Sequence, residues 1–332
     1  MKLRSLTLSA ILVVFLAISI FGDIAKPVWP ARPDLTRVEW IGEINIDALN
    51  PHSGFFGKLK RLIAGSSGSE KLTLPFDLLV TDRSIFMTCQ SIPALIEVNR
   101  DDKSFRLYNC DKTPFEYPIA LAAGNGDDIY ITDSKTATVY RFDGKKVLPI
   151  ISKGLNRPTG ICTNMKEQKL YLVDTGDHSV KIFNFNGELL EEIGHQGIEN
   201  EEFNFPTFIS TYRQDHFIVI DAMNYQVKQF DDNGRLYSAF GEEGDGPGTF
   251  SRPKGLAVDS DNHIWVVDNL FDNIQIFDED GQILLVIGSS GQQPGQFWSP
   301  AGIDIFNDTV YIADTFNNRI QILRYLGDDL DD

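Results

Sequence analysis

The sequence contains little cysteine and little methionine. Its 332 residues include three cysteines and four methionines. The cysteines (Cys89, Cys110 and Cys162) are too few and too widely spaced to form a disulfide framework. They also form no C-x-x-C pair, which a zinc site of the common kinds would need. We therefore expect buried thiols that fill core volume.

Basic residues are also few relative to acidic ones. Thirty Lys and Arg residues stand against 47 Asp and Glu residues, which gives a formal net charge of −17. A field of this sign repels phosphate backbones and anionic lipid surfaces. We therefore expect no nucleic-acid partner.

The beginning of the chain differs from the rest. Lys2 and Arg4 precede an uncharged apolar stretch from Leu6 to Phe21, which is short for a membrane-spanning helix. Residues 1–22 have the charged and apolar regions of an export signal, either cleaved after Gly22 or kept as an anchor. We expect an exported chain that is periplasmic, or attached outside the cytoplasm through residues 6–21. A Pro-rich linker, 23–36, follows.

The remaining sequence is rich in aromatic and β-branched residues, which favour strands over helices. A proline stands just before an apolar run six times, at intervals of 40 to 48 residues. A large apolar residue lies three positions before each proline. The six repeat prolines are Pro75, Pro118, Pro158, Pro206, Pro253 and Pro300.

Each repeat contains further apolar runs in a fixed order. The second run ends in Asp in five of the six copies, and Cys89 occupies that position in the first copy. D-G or N-G pairs after several third runs are typical of hairpin turns. The fourth run ends in Gly at 194, 241 and 288. Four short strands in a unit that recurs at this period indicate a β-propeller.

The two ends of the chain predict how the ring closes. The sixth copy stops after its third run, near Leu323, whereas residues 37–42 match the fourth-run pattern and precede the first copy. We predict an all-β, six-bladed propeller of four-stranded antiparallel blades over 37–326, with the N-terminal strand completing the last blade. A helical insert is expected at about 53–64, and an acidic tail at 327–332.

Two segments carry a family resemblance: "PGTFSRPKGLAVDSDNHIWVVDNLFDNIQIFDEDG" and "PGQFWSPAGIDIFNDTVYIADTFNNRIQIL". They resemble the NHL repeat, and the chain as a whole is similar to exported bacterial six-bladed propellers of this type. The family includes RNA-binding domains, peptide-amidating lyases and, more distantly, lactonase-like hydrolases. The resemblance thus implies the fold and leaves the activity open.

The recurring aspartates are the first candidate site residues. Each lies where the second strand turns into the third, so its carboxylate is placed to accept hydrogen bonds from the backbone N–H groups of that turn. We expect a structural role, because a residue repeated in five blades does not mark a single active site. The five are Asp133, Asp174, Asp221, Asp268 and Asp314.

The sequence predicts neither a catalytic residue nor a cofactor site. The starts of the first strands carry two carboxylates, Asp77 and Asp304, at different distances from their prolines. This departs from the four-ligand set implied by a gluconolactonase-like site. Calcium or zinc is expected only if the protein is an enzyme.

The better functional candidate is an interaction surface. The loops from fourth to first strands and the turns from second to third strands lie on the same face of a propeller. Aromatic residues there would suit a protein or peptide partner; they are Phe205, Tyr225, Phe271, Trp298 and Phe316. We therefore predict a rigid binding scaffold of the cell envelope. The alternative is a lactonase-like hydrolase or lyase that acts at the mouth of the channel.

Overall fold

A computed structural model describes residues 26–51, 72–213 and 216–327. These residues form six sheets, each largely antiparallel. The first strand of each sheet contacts the first strand of the next, and the sixth contacts the first, so the sheets form a closed ring around a central channel. The prediction of an all-β, six-bladed propeller is confirmed.

Five blades follow one another along the chain. Blade 1 consists of β4 (Pro75–Val80), β5 (Ser84–Cys89), β6 (Ile92–Asn99) and β7 (Ser104–Tyr108). Blade 2 consists of β8 (Pro118–Ala123), β9 (Ile129–Asp133), β10 (Thr138–Phe142) and β11 (Val147–Ile151). Blade 3 consists of β12 (Pro158–Asn164), β13 (Lys169–Asp174), β14 (Ser179–Asn184) and β15 (Leu189–Ile193). Blade 4 consists of β16 (Pro206–Tyr212), β17 (His216–Asp221), β18 (Gln226–Asp231) and β19 (Leu236–Phe240). Blade 5 consists of β20 (Pro253–Val258), β21 (Ile264–Asp268), β22 (Asn273–Phe277) and β23 (Ile283–Ile287).

Blade 6 is assembled from both ends of the described chain. It contains β24 (Pro300–Phe306), β25 (Thr309–Asp314) and β26 (Arg319–Tyr325), and its fourth strand is β2 (Val38–Asn45). In the antiparallel pair of β2 with β26, Val38 lies opposite Tyr325 and Asn45 lies opposite Arg319. The predicted closure by an N-terminal strand is confirmed.

Short elements extend two of the sheets. β1 (Val28–Trp29), within the segment predicted as a linker, pairs with the outer edge of β2. A 3₁₀ helix, Ile46–Ala48, leads to β3 (Asn50–Pro51), which lies parallel to β7. Both additions cover the outer edge of a blade, where an unpaired strand would otherwise be exposed.

Every repeat proline begins the first strand of its blade. Proline has no N–H to give to a ladder, so the first position of a strand suits it. The register shifts within the next few residues, for example between Pro253 and Leu256, and the strand then continues beside the channel.

The core consists of six apolar clusters, one between each pair of neighbouring blades. In β21, Trp265 and Val267 pack towards blade 6, whereas Ile264 and Val266 pack towards blade 4. Successive side chains of a strand point to opposite faces. Because both faces are buried, the second strands are continuous apolar runs.

The repeated fourth-strand glycine follows from close packing. Gly241 has φ +95°, and a Cβ there would lie 2.5 Å from the ring of Phe250, which is fully buried. Gly288 has φ +86° and the same relation to Phe297. The large residue three positions before the proline therefore wedges against the glycine.

Three predicted segments lie outside the described residues: the export signal with its apolar stretch at 6–21, the helical insert at about 53–64, and most of the acidic tail. Within the described part of the chain, no helix has the length and apolar character needed to span a bilayer.

Candidate binding face and central channel

One face of the ring carries two kinds of connection, and we call it the proline face. It holds the loops that lead into the repeat prolines and the turns that follow the repeat aspartates. The opposite face holds the turns between first and second strands and between third and fourth strands. The candidate site residues belong to the proline face and to the channel that it surrounds.

The five repeat aspartates are completely buried and attach the loops of the proline face to the blades. The carboxylate of Asp133 accepts hydrogen bonds from the backbone N–H groups of Glu116 and Tyr117, at 2.7 and 2.9 Å. Asp268 accepts one from Ser251 at 2.7 Å. Asp174, Asp221 and Asp314 accept equivalent bonds from the residues before their own prolines.

The remaining bonding capacity of these carboxylates is also used. Asp133 and Asp268 accept N–H groups from their own turns. The other three pair with cations of the third strands, in the pairs Lys181–Asp174, Lys228–Asp221 and Arg319–Asp314, at 2.9, 2.9 and 2.7 Å. Burial raises the pKa of Asp221 and of Asp314. Such carboxylates fix the shape of the loops around them.

Three of the five predicted aromatic residues are exposed on the proline face. Trp298 and Phe316, 47% and 51% exposed, form an edge-to-face pair with ring centroids 5.8 Å apart. Phe205 packs against His178, with centroids 4.4 Å apart. Tyr225 and Phe271 are half-buried instead, and Tyr225 packs against the core between blades 4 and 5. These two turn residues therefore add less to the surface than expected.

Four further large apolar side chains are exposed on the same face: Tyr117, Ile198, Met223 and Leu270. Together with Phe205, Trp298 and Phe316 they form what we call the apolar crown. On the turns of the opposite face, Met165 is the one exposed large apolar residue among those the structure describes. The other exposed ones lie on the outer fourth strands or near the N-terminus, so of the two faces of the ring the proline face carries nearly all of the exposed large apolar side chains.

The loops that carry the crown are bonded to one another. The N–H of Met223 donates to the carbonyl of Asn204 at 3.0 Å, and the N–H of Phe316 donates to the carbonyl of Trp298 at 3.0 Å. Together with the aspartate bonds, these contacts hold both kinds of connection in fixed positions. The crown is a preorganised surface.

Aromatic side chains close the channel near the proline face. The rings of Phe76 and Phe208 lie 6.1 Å apart, although they belong to blades 1 and 4, on opposite sides of the ring. The Nζ of Lys254 lies 5.1 Å from the Phe76 centroid, and blade 6 separates their blades. The Phe76–Phe208 contact therefore spans the channel, Lys254 extends into it, and Phe76 forms the floor of a channel mouth.

Beyond this floor, the first strands of all six blades line a cavity of about 200 Å³. Its two carboxylates are Asp77 and Asp304, and each links neighbouring blades. Asp77 accepts the N–H of Leu121 in blade 2 at 2.9 Å, and Asp304 accepts the N–H of Val80 in blade 1 at 2.6 Å. Burial raises the pKa of Asp77 to about 7 and that of Asp304 to about 6. No three His, Cys, Asp or Glu side chains within 26–51, 72–213 and 216–327 are grouped so as to hold a metal ion.

A group of polar side chains around His263, between blades 5 and 6, has a structural role. His263 lies between Asp259 and the hydroxyl of Tyr325, at 3.2 and 3.1 Å. The Asp259 carboxylate also accepts the N–H of His263 and the indole N–H of Trp265, at 2.9 and 2.8 Å. The carboxylate thus orders a turn and a buried tryptophan.

Family models match parts of the chain. A model described as a 6-bladed beta-propeller matches residues 208–270 and 259–331, and the NHL repeat model matches residues 155–183. The chain is a six-bladed β-propeller, and its third blade contains a segment that matches the NHL repeat. A search of curated proteins found no match to this propeller.

Solved structures share the fold at low sequence identity. An auxiliary nutrient binding protein from Bacteroides thetaiotaomicron is 13% identical over 86% of the propeller chain and 78% of its own, with a TM-score of 0.63. Virginiamycin B lyase from Staphylococcus aureus, solved with quinupristin, is 14% identical over 78% and 97%, with a TM-score of 0.58. A protein in a nidogen/laminin complex is 15% identical over 75% and 87%, with a TM-score of 0.53. At these identities the likeness shows the fold alone.

Several residues of the crown and the channel mouth were not predicted, although their positions in the repeat could have indicated them. Met223 and Leu270 stand two positions after the repeat aspartate, as Phe316 does, and Tyr117 directly precedes a repeat proline, as Phe205 does. Lys254 directly follows one. The prediction considered aromatic residues, so it left out the aliphatic members of the crown and the cation at the channel mouth. It also left out Tyr117, although this residue occupies the same position as Phe205.

Proposed function

We propose that this propeller is an exported binding scaffold of the cell envelope, and that its proline face holds a protein or peptide partner. The observation that carries the proposal is the apolar crown. It places seven large apolar side chains on loops that are tied to one another and to the blades.

The crown has properties that favour binding. Trp298, Phe316 and Phe205 bury much apolar area for few rotatable bonds, so little conformational entropy is lost when they are covered. Their loops are already ordered by buried aspartates, which lowers the cost of association further. Aromatic residues are also enriched among those that dominate interface energies.

The cellular location rests on the sequence. Lys2 and Arg4 followed by the apolar stretch 6–21 are typical of an export signal or signal anchor. Either outcome places the ring in the periplasm or on the outer side of the membrane. The nutrient binding protein and the nidogen/laminin complex show that propellers of this fold occur among proteins named for binding. This is compatible with the proposal.

The test is a crosslinked pull-down from envelope fractions with the full-length chain. The double variant Trp298→Ala/Phe316→Ala removes the edge-to-face aromatic pair of the crown. The control, Leu189→Ala/Leu190→Ala, removes two similarly exposed side chains from a fourth strand. The first variant should lose the partner, with an affinity for it about thirtyfold or more below that of the wild type. The control variant should keep the partner.

Equal capture by both variants, or no reproducible partner, would contradict the proposal. Turnover of lactone or ester substrates, abolished by changes in the channel and unaffected by the crown variants, would favour the hydrolase alternative instead.

A further inference from the structure

The channel mouth contains a cation in an unusual position. The residues that directly follow the six repeat prolines surround the mouth: Phe76, Ile119, Thr159, Thr207, Lys254 and Ala301. Lys254 is the one charged member of this set. Its side chain is partly buried and extends into the channel, so that its Nζ lies 5.1 Å from the Phe76 ring centroid.

Nothing in the described part of the chain neutralises this ammonium group. No carboxylate there forms an ion pair with Lys254, and the charged neighbour that acts on it is the exposed Arg252, another cation. Burial, and then the charge of Arg252, lower the pKa of Lys254 to about 8. Lys181, Lys228 and Arg319, which are also buried, each have an aspartate partner. An unpaired ammonium in such a place reduces stability and is unusual without a role in binding.

A second unsatisfied group occupies the same position in the adjacent blade. The Thr207 hydroxyl is buried and has no hydrogen-bond partner within 26–51, 72–213 and 216–327. The corresponding hydroxyl of Thr159 donates to the Thr207 carbonyl at 2.9 Å and lies 2.7 Å from the hydroxyl of Thr175. The Thr207 hydroxyl is thus buried without a partner, in the blade next to that of Lys254.

We propose that the channel mouth binds a carboxylate group of the partner, with the Lys254 ammonium as counter-ion, the Thr207 hydroxyl as a further donor and the Phe76 ring as the floor. This rests on the proposed function and specifies which chemical group the partner inserts at the centre of the crown. A single ammonium matches a single negative charge. A doubly charged phosphate would be repelled more strongly by a chain with a formal charge of −17.

The first experiment compares two probes that differ in charge alone. N-acetyl-phenylalanine carries a carboxylate like that of a peptide C-terminus, and N-acetyl-phenylalaninamide is the neutral control. Binding to the full-length protein is measured by calorimetry, where a ligand of this size is expected to bind with a Kd of about 1 mM. The acid should bind at least about tenfold more tightly than the amide. A third probe, N-acetyl-aspartate amide, distinguishes a C-terminal carboxylate from an acidic side chain as the source.

Variants then assign the binding to the mouth. Lys254→Met should lower the affinity for the acid to that for the amide, whereas Lys254→Arg, which keeps the charge, should retain binding. Thr207→Val should give a smaller loss. Lys135→Met is the matched control, because Lys135 lies on the same face but is exposed and paired with Glu116 at 3.0 Å. This variant should bind the acid as the wild type does.

A second measurement follows Lys254 directly. Its rate of acetylation, measured by peptide mass spectrometry against pH, reports the pKa of the amine. The acid probe should raise that pKa and slow the modification, while the amide should not.

Equal binding of acid and amide, or unchanged binding of the acid by Lys254→Met, would overturn the carboxylate site. The scaffold would survive that result if the crown variant still lost its partner. Conversely, the acid could bind more tightly than the amide in a way that depends on Lys254, while the crown variant keeps its partner. That result would support the carboxylate site and contradict the scaffold proposal.

Discussion

Asp77 makes the stability of the propeller depend on pH in a direction opposite to that of a salt-bridged carboxylate. The side chain is buried in the channel cavity, where it accepts one hydrogen bond from Leu121 and faces the charge of Asp304. Its pKa is 3.8 in an unfolded chain and about 7 in the folded one. Between these values the folded state binds more protons than the unfolded state, so stability falls as pH rises.

The magnitude follows from the size of this difference. One pKa unit corresponds to about 1.4 kcal/mol, so ionisation of Asp77 lowers the free energy of unfolding by about 4 kcal/mol in total. About 3 kcal/mol of this falls between about pH 5 and about pH 8.5. Asp77→Asn keeps an oxygen that can accept the Leu121 N–H and removes the charge. The variant should therefore gain about 3 kcal/mol relative to the wild type over this range.

The assay is urea unfolding followed by tryptophan fluorescence at a series of pH values, with the difference between variant and wild type taken at each pH. Groups that titrate alike in both proteins cancel in that difference. Asp127→Asn, which removes an exposed carboxylate from a turn of the opposite face, is the control for a change in net charge. A difference between Asp77→Asn and wild type that stays constant with pH would refute the reasoning.

Three further predictions concern stability. Ile44→Ala, in the strand that closes the ring, should cost about 2–5 kcal/mol by chemical unfolding, whereas Ile198→Ala, at a side chain that is 77% exposed, should stay within about 0.5 kcal/mol of wild type; equal effects would contradict the closure. Gly241→Ala should lower the melting temperature, because φ is +95° and the new Cβ would meet the Phe250 ring, at a cost of about 1–3 kcal/mol or more. Gly246→Ala, where a Cβ has open space, should leave the melting temperature unchanged. Equal melting temperatures for the two variants would show that the packing of Phe250 against Gly241 is unimportant. Lys254→Met should raise the free energy of unfolding by up to about 3 kcal/mol below pH 8. This gain should fade as pH rises towards 10.5, since the wild-type amine loses its charge. Destabilisation by this variant at neutral pH would mean that the ammonium has a partner.

The repeat made the fold predictable from one sequence. Proline positions mark the start of each first strand because proline cannot donate to a ladder, and apolar runs mark second strands because both of their faces are buried. The N-terminal fourth strand was predictable because a missing strand at one end matched an extra strand at the other. All of these signals are local in sequence and periodic.

The site was less predictable, because its contacts join residues from different blades. The sequence placed the repeat aspartates at turns, but it did not show that Asp133 reaches back to Glu116 and Tyr117 in the preceding loop. It also did not show that Phe76 and Phe208 meet across the axis, which depends on the radius of the ring. The exposure of Phe205, in a loop before a repeat proline, and the half-burial of Tyr225, in a turn after a repeat aspartate, depend on the neighbouring blade.

Closure by β2 has a consequence for the order of folding. Arg37 donates a hydrogen bond to the carbonyl of Gly327, a residue 290 positions later, so the pair of β2 with β26 forms only after nearly the whole propeller has been made. Contacts so distant in sequence slow the final step, and until then the edge of β2 that pairs with β26 has no neighbour. During biogenesis this free edge is open to pairing with a second nascent chain. A chaperone that shields strand edges would act at this stage.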